Sequence, residues 1–274
     1  MKIFFLAFIT TLVFCQMIFG QQISQIGFAV YMLPVDIKSN QLKNLDLKNL
    51  KPTGKPLIAE SDIWFYQKET HEFRINYMAA DRLKKINNRG STHPFAVFVG
   101  DEAIYVGAFW KSILSQSFDG IIIDTYKSVG KPPYYSNTDF PVLTLELGYP
   151  SAEYFKGADL RADSRIFKSL EAAGKLYEDV ELIAKCKKIT ASGTRRPGSN
   201  FIFEAISITK GEFKDKEISF FLFDGKLLPE LDAKLGWGAG ENVKFNPNTE
   251  IILKISKQAG RDKPDWFLRE YRKK

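Results

Sequence analysis

Five carboxylates in the middle of the sequence could carry acid–base chemistry. They are Asp119, Asp124, Glu146, Asp159 and Asp163. A carboxylate-dependent hydrolase or transferase needs two such groups facing each other across a cleft. The sequence does not reveal which acids face each other, so roles as helix caps, turn residues and exposed acids stay open. Arg161 and Arg165 alternate with the last two acids at a predicted helix start, which favours local ion pairs.

The histidines and cysteines do not have the spacing of a metal site or of a nucleophile with its base. A zinc site needs three or four ligands, usually with two close in sequence, whereas His71 and His93 stand apart. We predict turn or surface roles for both. Cys186 lies in a strand-like segment without a nearby histidine, which predicts a buried thiol. Glycine-rich phosphate loops and a Gly-x-Ser-x-Gly elbow are absent from the sequence, so we predict no cofactor and no metal.

Two groups of side chains could instead recognise a ligand. The aromatic group contains Tyr105, Phe109 and Trp110 at the end of a predicted hairpin, and Tyr134 and Tyr135 in a proline-rich loop. Aromatic rings near loops stack on sugars or peptides. Core packing is the alternative for Tyr105 and Phe109, because they occupy alternating strand positions.

The second group is basic. It contains Arg195 and Arg196 at a predicted hairpin tip and the tail residues Arg269, Arg272, Lys273 and Lys274. Such a group could contact an anionic partner. A solvated tip with no partner is the alternative.

The first twenty residues have the pattern of an export signal. Lys2 precedes an almost unbroken apolar stretch, and Gly20 offers a small residue at a cleavage point. We therefore predict that residues 1–20 are a removed signal peptide. A retained N-terminal anchor and lipidation of Cys15 are the alternatives.

The composition restricts the compartment and the partners. The chain has 274 residues, 45% of them hydrophobic, which is typical of a packed globule. Removal of residues 1–20 leaves Cys186 as the only cysteine, so an internal disulfide is impossible; this favours the bacterial periplasm or exterior over secretion from an animal cell. The net charge of +7 favours contact with anionic surfaces, and the predicted export argues against nucleic acid as a partner. No later apolar run is long enough to predict a transmembrane segment in the mature chain.

The alternation of strand and helix patterns predicts an α+β protein in two parts. Residues 21–150 read as a mixed α/β, sandwich-like domain, whose strongest hairpin surrounds Gly100, Asp101 and Glu102. Residues 151–177 form a helical bridge. Residues 178–274 contain five strand-like runs, which predict a small β-barrel of the OB type or a β-sandwich.

The bridge helix is predicted to be capped by Asp163 or Ser164 and to run to about Ala173. Its apolar face should pack against the first sheet or into the cleft between the parts. That face contains Ile166, Phe167, Leu170 and Ala173. We expect the two parts to have separate cores and separate sheets, and we expect Phe167 to be buried.

Residues 73–123 contain in order a strand (FRINY), a helix (MAADRLKKI), a hairpin (PFAVFVGDEAIYVGAF) and a further strand (DGIII). This order resembles the first periplasmic domain of SecD-type protein-export subunits. The resemblance implies an α+β fold and carries no catalytic residues. It departs from the family in having Gly-Asp-Glu at the turn, in lacking the small-Pro motif and in having no membrane helices. Residues 178–274 are similar, more faintly, to netrin-like and OB-type domains.

Three functional hypotheses follow. The first is a non-enzymatic envelope module that binds an envelope protein, a polysaccharide or an anionic surface. The second is the carboxylate-dependent hydrolase or transferase acting on envelope material. The third is an accessory factor for secretion or assembly, which the SecD-like stretch suggests.

Overall fold

The chain is described by a computed structural model for residues 27–34, 39–87, 92–113, 115–125, 141–191, 199–222, 239–240, 248, 250–261 and 266–274. Fourteen strands and two α-helices lie within these residues. The strands are β1 (Phe28–Met32), β2 (Ile58–Ala59), β3 (Ile63–Gln67), β4 (Glu72–Ile75), β5 (His93–Val99), β6 (Glu102–Trp110), β7 (Phe118–Asp124), β8 (Val142–Tyr149), β9 (Leu176–Ala191), β10 (Ser199–Lys210), β11 (Glu217–Leu222), β12 (Ala239–Gly240), β13 (Glu250–Gln258) and β14 (Trp266–Lys273). The helices are α1 (Tyr77–Asn87) and α2 (Ser164–Ala172).

All fourteen strands belong to one large mixed sheet that is not closed. Its order is β12-β14-β13-β9-β3-β4-β8-β7-β6-β5-β1-β2. In addition, β10 pairs with residues 181–191 of β9, and β11 pairs with β10. Most neighbours are antiparallel, and the pairs β3–β9, β6–β7 and β12–β14 are parallel. The described fold is therefore mostly β-sheet, and it fits the α+β prediction only loosely.

The first half of the sheet, which contains β1–β8, is covered on one face by the two helices. The strands direct apolar side chains to this face at alternate positions. Against these side chains the helices bury Ala79 and Leu83 from α1 and Ile166 and Leu170 from α2. Asn76 caps α1 through its Oδ1, which accepts the Ala79 amide at 2.9 Å. The predicted cap of α2 is confirmed: Asp163 Oδ1 accepts the Arg165 amide at 2.9 Å.

The opposite face of the same sheet is covered by the chain between β1 and β2. Leu42 is buried there, and Leu45, Leu47 and Leu50 pack partly buried on the same cluster. We call residues 42–51 the leucine cover. An ion pair between Lys43 and Asp119 fixes it to β7. The leucine cover is thus a third layer of the first half.

The second half of the sheet, which contains β9–β14, forms a core to which no described helix contributes. Buried residues alternate along β9, β10, β11, β13 and β14, and they share one cluster that includes Cys186 at 0% exposure. The rings of Phe213, before β11, and Trp266, at the start of β14, are 5.1 Å apart. Because these residues belong to opposite ends of the local strand order, the sheet must curl around its core. The prediction of a buried thiol is confirmed.

The two halves are joined through β9. Its first residues pair in parallel with β3, Tyr66 opposite Leu176 and Gln67 opposite Tyr177. The prediction of separate sheets is therefore wrong, although the apolar clusters of the two halves are distinct. Phe167 is half-buried rather than buried as predicted, and it packs on the first cluster from the inner face of α2.

A buried polar contact fixes this seam. Gln67, at 0% exposure, donates from Nε2 to Asp179 Oδ1 at 2.8 Å and accepts from Ser256 Oγ at 2.7 Å. The three residues lie on β3, β9 and β13, so one amide side chain ties three adjacent strands. Polar groups removed from water are stable only when they are hydrogen-bonded in this way.

Candidate binding site

A cleft of about 520 Å³ opens at the end of the first half where the β5–β6 turn, α2 and the leucine cover meet. We call it the end cleft. Its lining residues are Leu47, Lys48, Lys51, Val99, Asp101, Glu102, Ala103, Ile104 and Arg165. They include three basic residues, two acidic residues and four apolar ones, which is the mixture expected of a site for a polar ligand with an apolar part.

Two local turns place the charged residues at the cleft. Gly100 has a φ of 62°, a left-handed conformation that glycine adopts without steric cost, so β5 can reverse tightly into β6 and expose Asp101 and Glu102 at the tip. On the other side, Asp46 accepts the Lys48 amide at 3.0 Å and an Asn49 side-chain bond at 2.7 Å. This Asx-type turn holds the end of the leucine cover against the sheet.

Arg165, in the first turn of α2, is the third charged element. Its guanidinium binds Asp163 at 2.7 Å and also forms an ion pair with Glu102. These partners raise the pKa of Arg165 and, through the hydrogen bond from Arg165, lower the pKa of Asp163. Arg165 therefore connects the start of α2 to the β5–β6 turn.

The remaining charges of the end cleft are unmatched. Among the described residues, Lys48 and Lys51 have no ion-pair partner, and both are exposed. Asp101 also lacks one; its negative charge raises the pKa of Tyr31, with burial as the larger cause. The apolar lining residues of the cleft, which we call its apolar floor, are Leu47, Val99, Ala103 and Ile104. The end cleft thus offers two ammonium groups and one carboxylate beside this apolar floor.

The aromatic residues predicted as a recognition surface are in the core. Tyr105, Phe109 and Trp110 are each 2% exposed. Tyr105 and Phe109 belong to the cluster under the helices, whereas Trp110 belongs to the cluster under the leucine cover. These three rings are therefore not available for stacking on a ligand, and the core-packing alternative describes them. Tyr134 and Tyr135 lie outside the described residues.

The basic group is only partly described. Arg195 and Arg196 lie outside the described residues. In the tail, Arg269 binds Glu72 at 3.0 Å, Arg272 approaches Glu181 at 3.7 Å, and Lys274 binds Glu250 at 2.8 Å. These tail charges are neutralised by neighbours and do not form a free cationic surface.

The five candidate carboxylates are not gathered in one place by any described contact. Asp119 pairs with Lys43, Asp159 with Arg161 at 2.7 Å, and Asp163 caps α2. Hydrogen bonds from Arg161 lower the pKa of Asp159, which keeps it ionised rather than available as a general acid. Asp124 is buried at the end of β7, and Glu146 is half-buried on β8. The predicted local ion pairs of Arg161 and Arg165 are confirmed.

His71 forms a buried polar contact in the first half. It lies in the turn between β3 and β4, and its Nδ1 is 3.0 Å from the Oη of Tyr66. Its ring stacks against that of Phe167 at 6.4 Å. Burial, assisted by the positive charge of Arg161, lowers the pKa of His71 to about 4. The turn position of His71 is as predicted, and its neutral ring serves the packing of α2. The same prediction is wrong for His93, which starts β5 and is buried, because its strand lies inside the sheet.

Metal binding has no support in the described part of the chain, where no group of three or more His, Cys, Asp or Glu residues could hold an ion. Within the same residues, no helix is long and apolar enough to cross a membrane.

Sequence reasoning missed the end cleft. Asp101, Glu102 and Arg165 are each visible in the sequence as turn and helix-start residues. Their proximity to Lys48 and Lys51 depends on the leucine cover folding back over the sheet. In the sequence, the spaced leucines of residues 42–50 are the signal that this segment packs on the sheet.

Comparisons with known proteins add no relative. No protein-family model matches the chain, and neither the search of curated proteins nor that of solved structures returned a significant match.

Proposed function

We propose that the chain is an exported binding or assembly module of the bacterial envelope, and that the end cleft receives its partner. The observation that carries the proposal is the set of unmatched charges there, Lys48, Lys51 and Asp101, beside the apolar floor. Exposed charges of both signs beside a concave apolar surface provide orientation and affinity for a partner that carries complementary groups.

The same cleft offers less to a hydrolase. Its two carboxylates are Asp101 and Glu102, and Glu102 is already engaged by Arg165. Acid–base catalysis with two carboxylates needs both to be free to face the substrate. We therefore prefer binding to catalysis as the function of this site.

The export part of the proposal is supported by residues 1–20, which have the charge, apolar stretch and small residue of a cleavable signal. N-terminal sequencing of the protein recovered from its native cell tests it. We expect a start at Gln21 and recovery from the periplasm or the medium. An intact Met1 in the cytoplasmic fraction would overturn this part.

We also propose that the second half is a partial barrel of the OB type. The curl around one cluster and the contact between Phe213 and Trp266 support this. An experimental structure tests it: backbone hydrogen bonds or close side-chain packing between β11 and β14 are expected, and a flat sheet in which these strands diverge would contradict it.

Pull-down of the mature, tagged protein from its native envelope tests the binding site. The cleft variant Lys48→Glu/Lys51→Glu should lose a partner that the wild type retains. The matched control is Lys85→Glu/Lys188→Glu. It makes the same change of charge at two exposed lysines elsewhere on the molecule, neither of which forms an ion pair with another described residue. Equal recovery with the cleft variant and the wild type would rule out the end cleft as the site.

A further inference from the structure

The charges of the end cleft are divided between separate segments of the chain. Lys48 and Lys51 come from the end of the leucine cover, whereas Asp101 and Glu102 come from the β5–β6 turn. Arg165 approaches from α2 and neutralises Glu102. A ligand in the cleft therefore meets free positive charge from one segment and free negative charge from another.

We propose that the ligand is a short, extended peptide segment of a partner protein, with acidic side chains toward Lys48 and Lys51, an apolar side chain over the floor, and a basic side chain toward Asp101. This inference rests on the proposed binding function and specifies its partner. A peptide is the common polymer that presents both charges and an apolar group within a few residues.

Two other occupants fit less well. A uniformly anionic polymer would meet the carboxylate of Asp101, and repulsion between like charges would oppose its binding. A lipid surface is flat on this scale and cannot follow a concavity that is lined by the leucine cover, the β5–β6 turn and α2.

The size and shape of the cleft agree with a peptide. About 520 Å³ lies within the range of natural ligand sites, roughly 300–1,000 Å³, and accommodates a few side chains. Leu47 and Val99 are half-buried at the cleft and offer apolar contact beside Ile104. Extended peptides use such alternate side-chain contacts for specificity.

Arg165 makes the site adjustable. Its ion pair with Glu102 is exposed, and exposed pairs are weak, so a peptide carboxylate can replace Glu102 as a partner at little cost. The bond from Arg165 to Asp163 keeps the guanidinium in place during the exchange. Arg165 thereby acts as a third cation for the ligand.

A random heptapeptide display library, selected on the complete mature protein, tests the peptide directly. We expect enrichment of sequences that combine Asp or Glu with an apolar residue and Lys or Arg. The variant Lys48→Glu/Lys51→Glu should reverse the preference toward basic residues, and wild-type peptides should bind it roughly tenfold more weakly because two attractions become repulsions. The control Lys85→Glu/Lys188→Glu should select the wild-type sequences.

The outcomes separate the two proposals. If no peptide is enriched, the peptide ligand is wrong, while an envelope partner lost in the pull-down with the cleft variant would leave the binding function standing. If wild type and cleft variant select the same sequences, peptides bind elsewhere and the inference fails. If peptide selection is charge-reversed but no envelope protein is recovered, the peptide site stands and the proposed envelope role falls.

Discussion

The two halves of the sheet differ in what they bury. The buried polar residues of the described chain are Asp62, Gln67, His71, Arg74, His93, Asp124, Thr125, Asp179 and Ser256. All of them except Asp179 and Ser256 belong to the first half. Asp179 and Ser256 are both hydrogen-bonded to Gln67, where β9 joins the two halves. Away from the seam, the described core of the second half is apolar. Buried hydrogen bonds between side chains thus add to packing in the first half, whereas the described core of the second half depends mainly on the packing of apolar side chains.

The largest test removes one ring from each core. Phe73→Ala in the first half and Phe203→Ala in the second should each lower the free energy of unfolding by about 3–5 kcal/mol, because both rings are buried. We expect hydrogen exchange to show the loss of protection mainly in the half that carries the change, since the apolar clusters are distinct. Equal loss of protection in β5 and in β13 with either variant would show that the two halves unfold as one unit.

Mild acid should weaken the first half selectively through His71. Its folded pKa of about 4 lies below the ordinary 6.5, so below pH 6.5 the unfolded chain binds a proton that the folded chain resists. Its contribution is complete above pH 6.5 and is lost as the pH falls toward 4, by about 2–3 kcal/mol over this window. Denaturant unfolding at a series of pH values measures it.

The control for this pH dependence is His71→Asn. The residue has a φ of 54°, and asparagine tolerates this left-handed backbone while removing the titrating ring. The slope between pH 6.5 and 4 should become shallower in the variant. The lowered pKa values of Asp159 and Asp163 place their own losses below this window. An unchanged slope would assign the acid sensitivity to another group.

Two buried tyrosines sharpen the contrast between satisfied and unsatisfied polar groups. Tyr66→Phe removes the hydrogen bond with His71 and should lower stability by about 1–2 kcal/mol. The hydroxyl of Tyr105 is buried without a hydrogen-bond partner among the described residues, so Tyr105→Phe should change stability by less than about 0.5 kcal/mol or increase it. Thermal unfolding of both variants compares them. A large loss with Tyr105→Phe would indicate a bound water.

The smallest expected effect lies on the surface of the second half. Lys187 and Glu217 form an exposed ion pair between β9 and β11. Lys187→Ala should leave the free energy of unfolding nearly unchanged, and any loss should shrink in high salt, because exposed pairs are screened. A double-mutant cycle with Glu217→Ala measures the pair itself. A large coupling that persists in high salt would mean that surface charge helps to specify this half.

Local structure was readable from the sequence where the pattern is local. The β5–β6 hairpin, the strand β7 and the capped helix α2 follow from turn residues, alternation and capping. Each of these elements forms through interactions between residues that are close in sequence, so the short segment itself is sufficient to predict it.

The large-scale arrangement was not readable in the same way. Leu176 and Tyr177 were assigned to the helical bridge 151–177, yet they start β9 and pair with β3. Parallel pairing with a distant strand leaves no local turn signature. The leucine cover and the end cleft were missed for the same reason, because their contacts join residues 42–51 to β6, β7 and α2.

The length of β9 also affects the order in which the protein can fold. Its first two residues complete the sheet of the first half, and its remainder is the central strand on which β10 and β13 assemble. Contacts between residues far apart in sequence form slowly, because the intervening loop must be closed first. During synthesis the first half therefore presents the unpaired edge of β3 until β9 emerges, and the second half gains its template at the same moment. We expect truncation before Leu176 to yield an aggregation-prone chain, since an open interior strand edge recruits other chains.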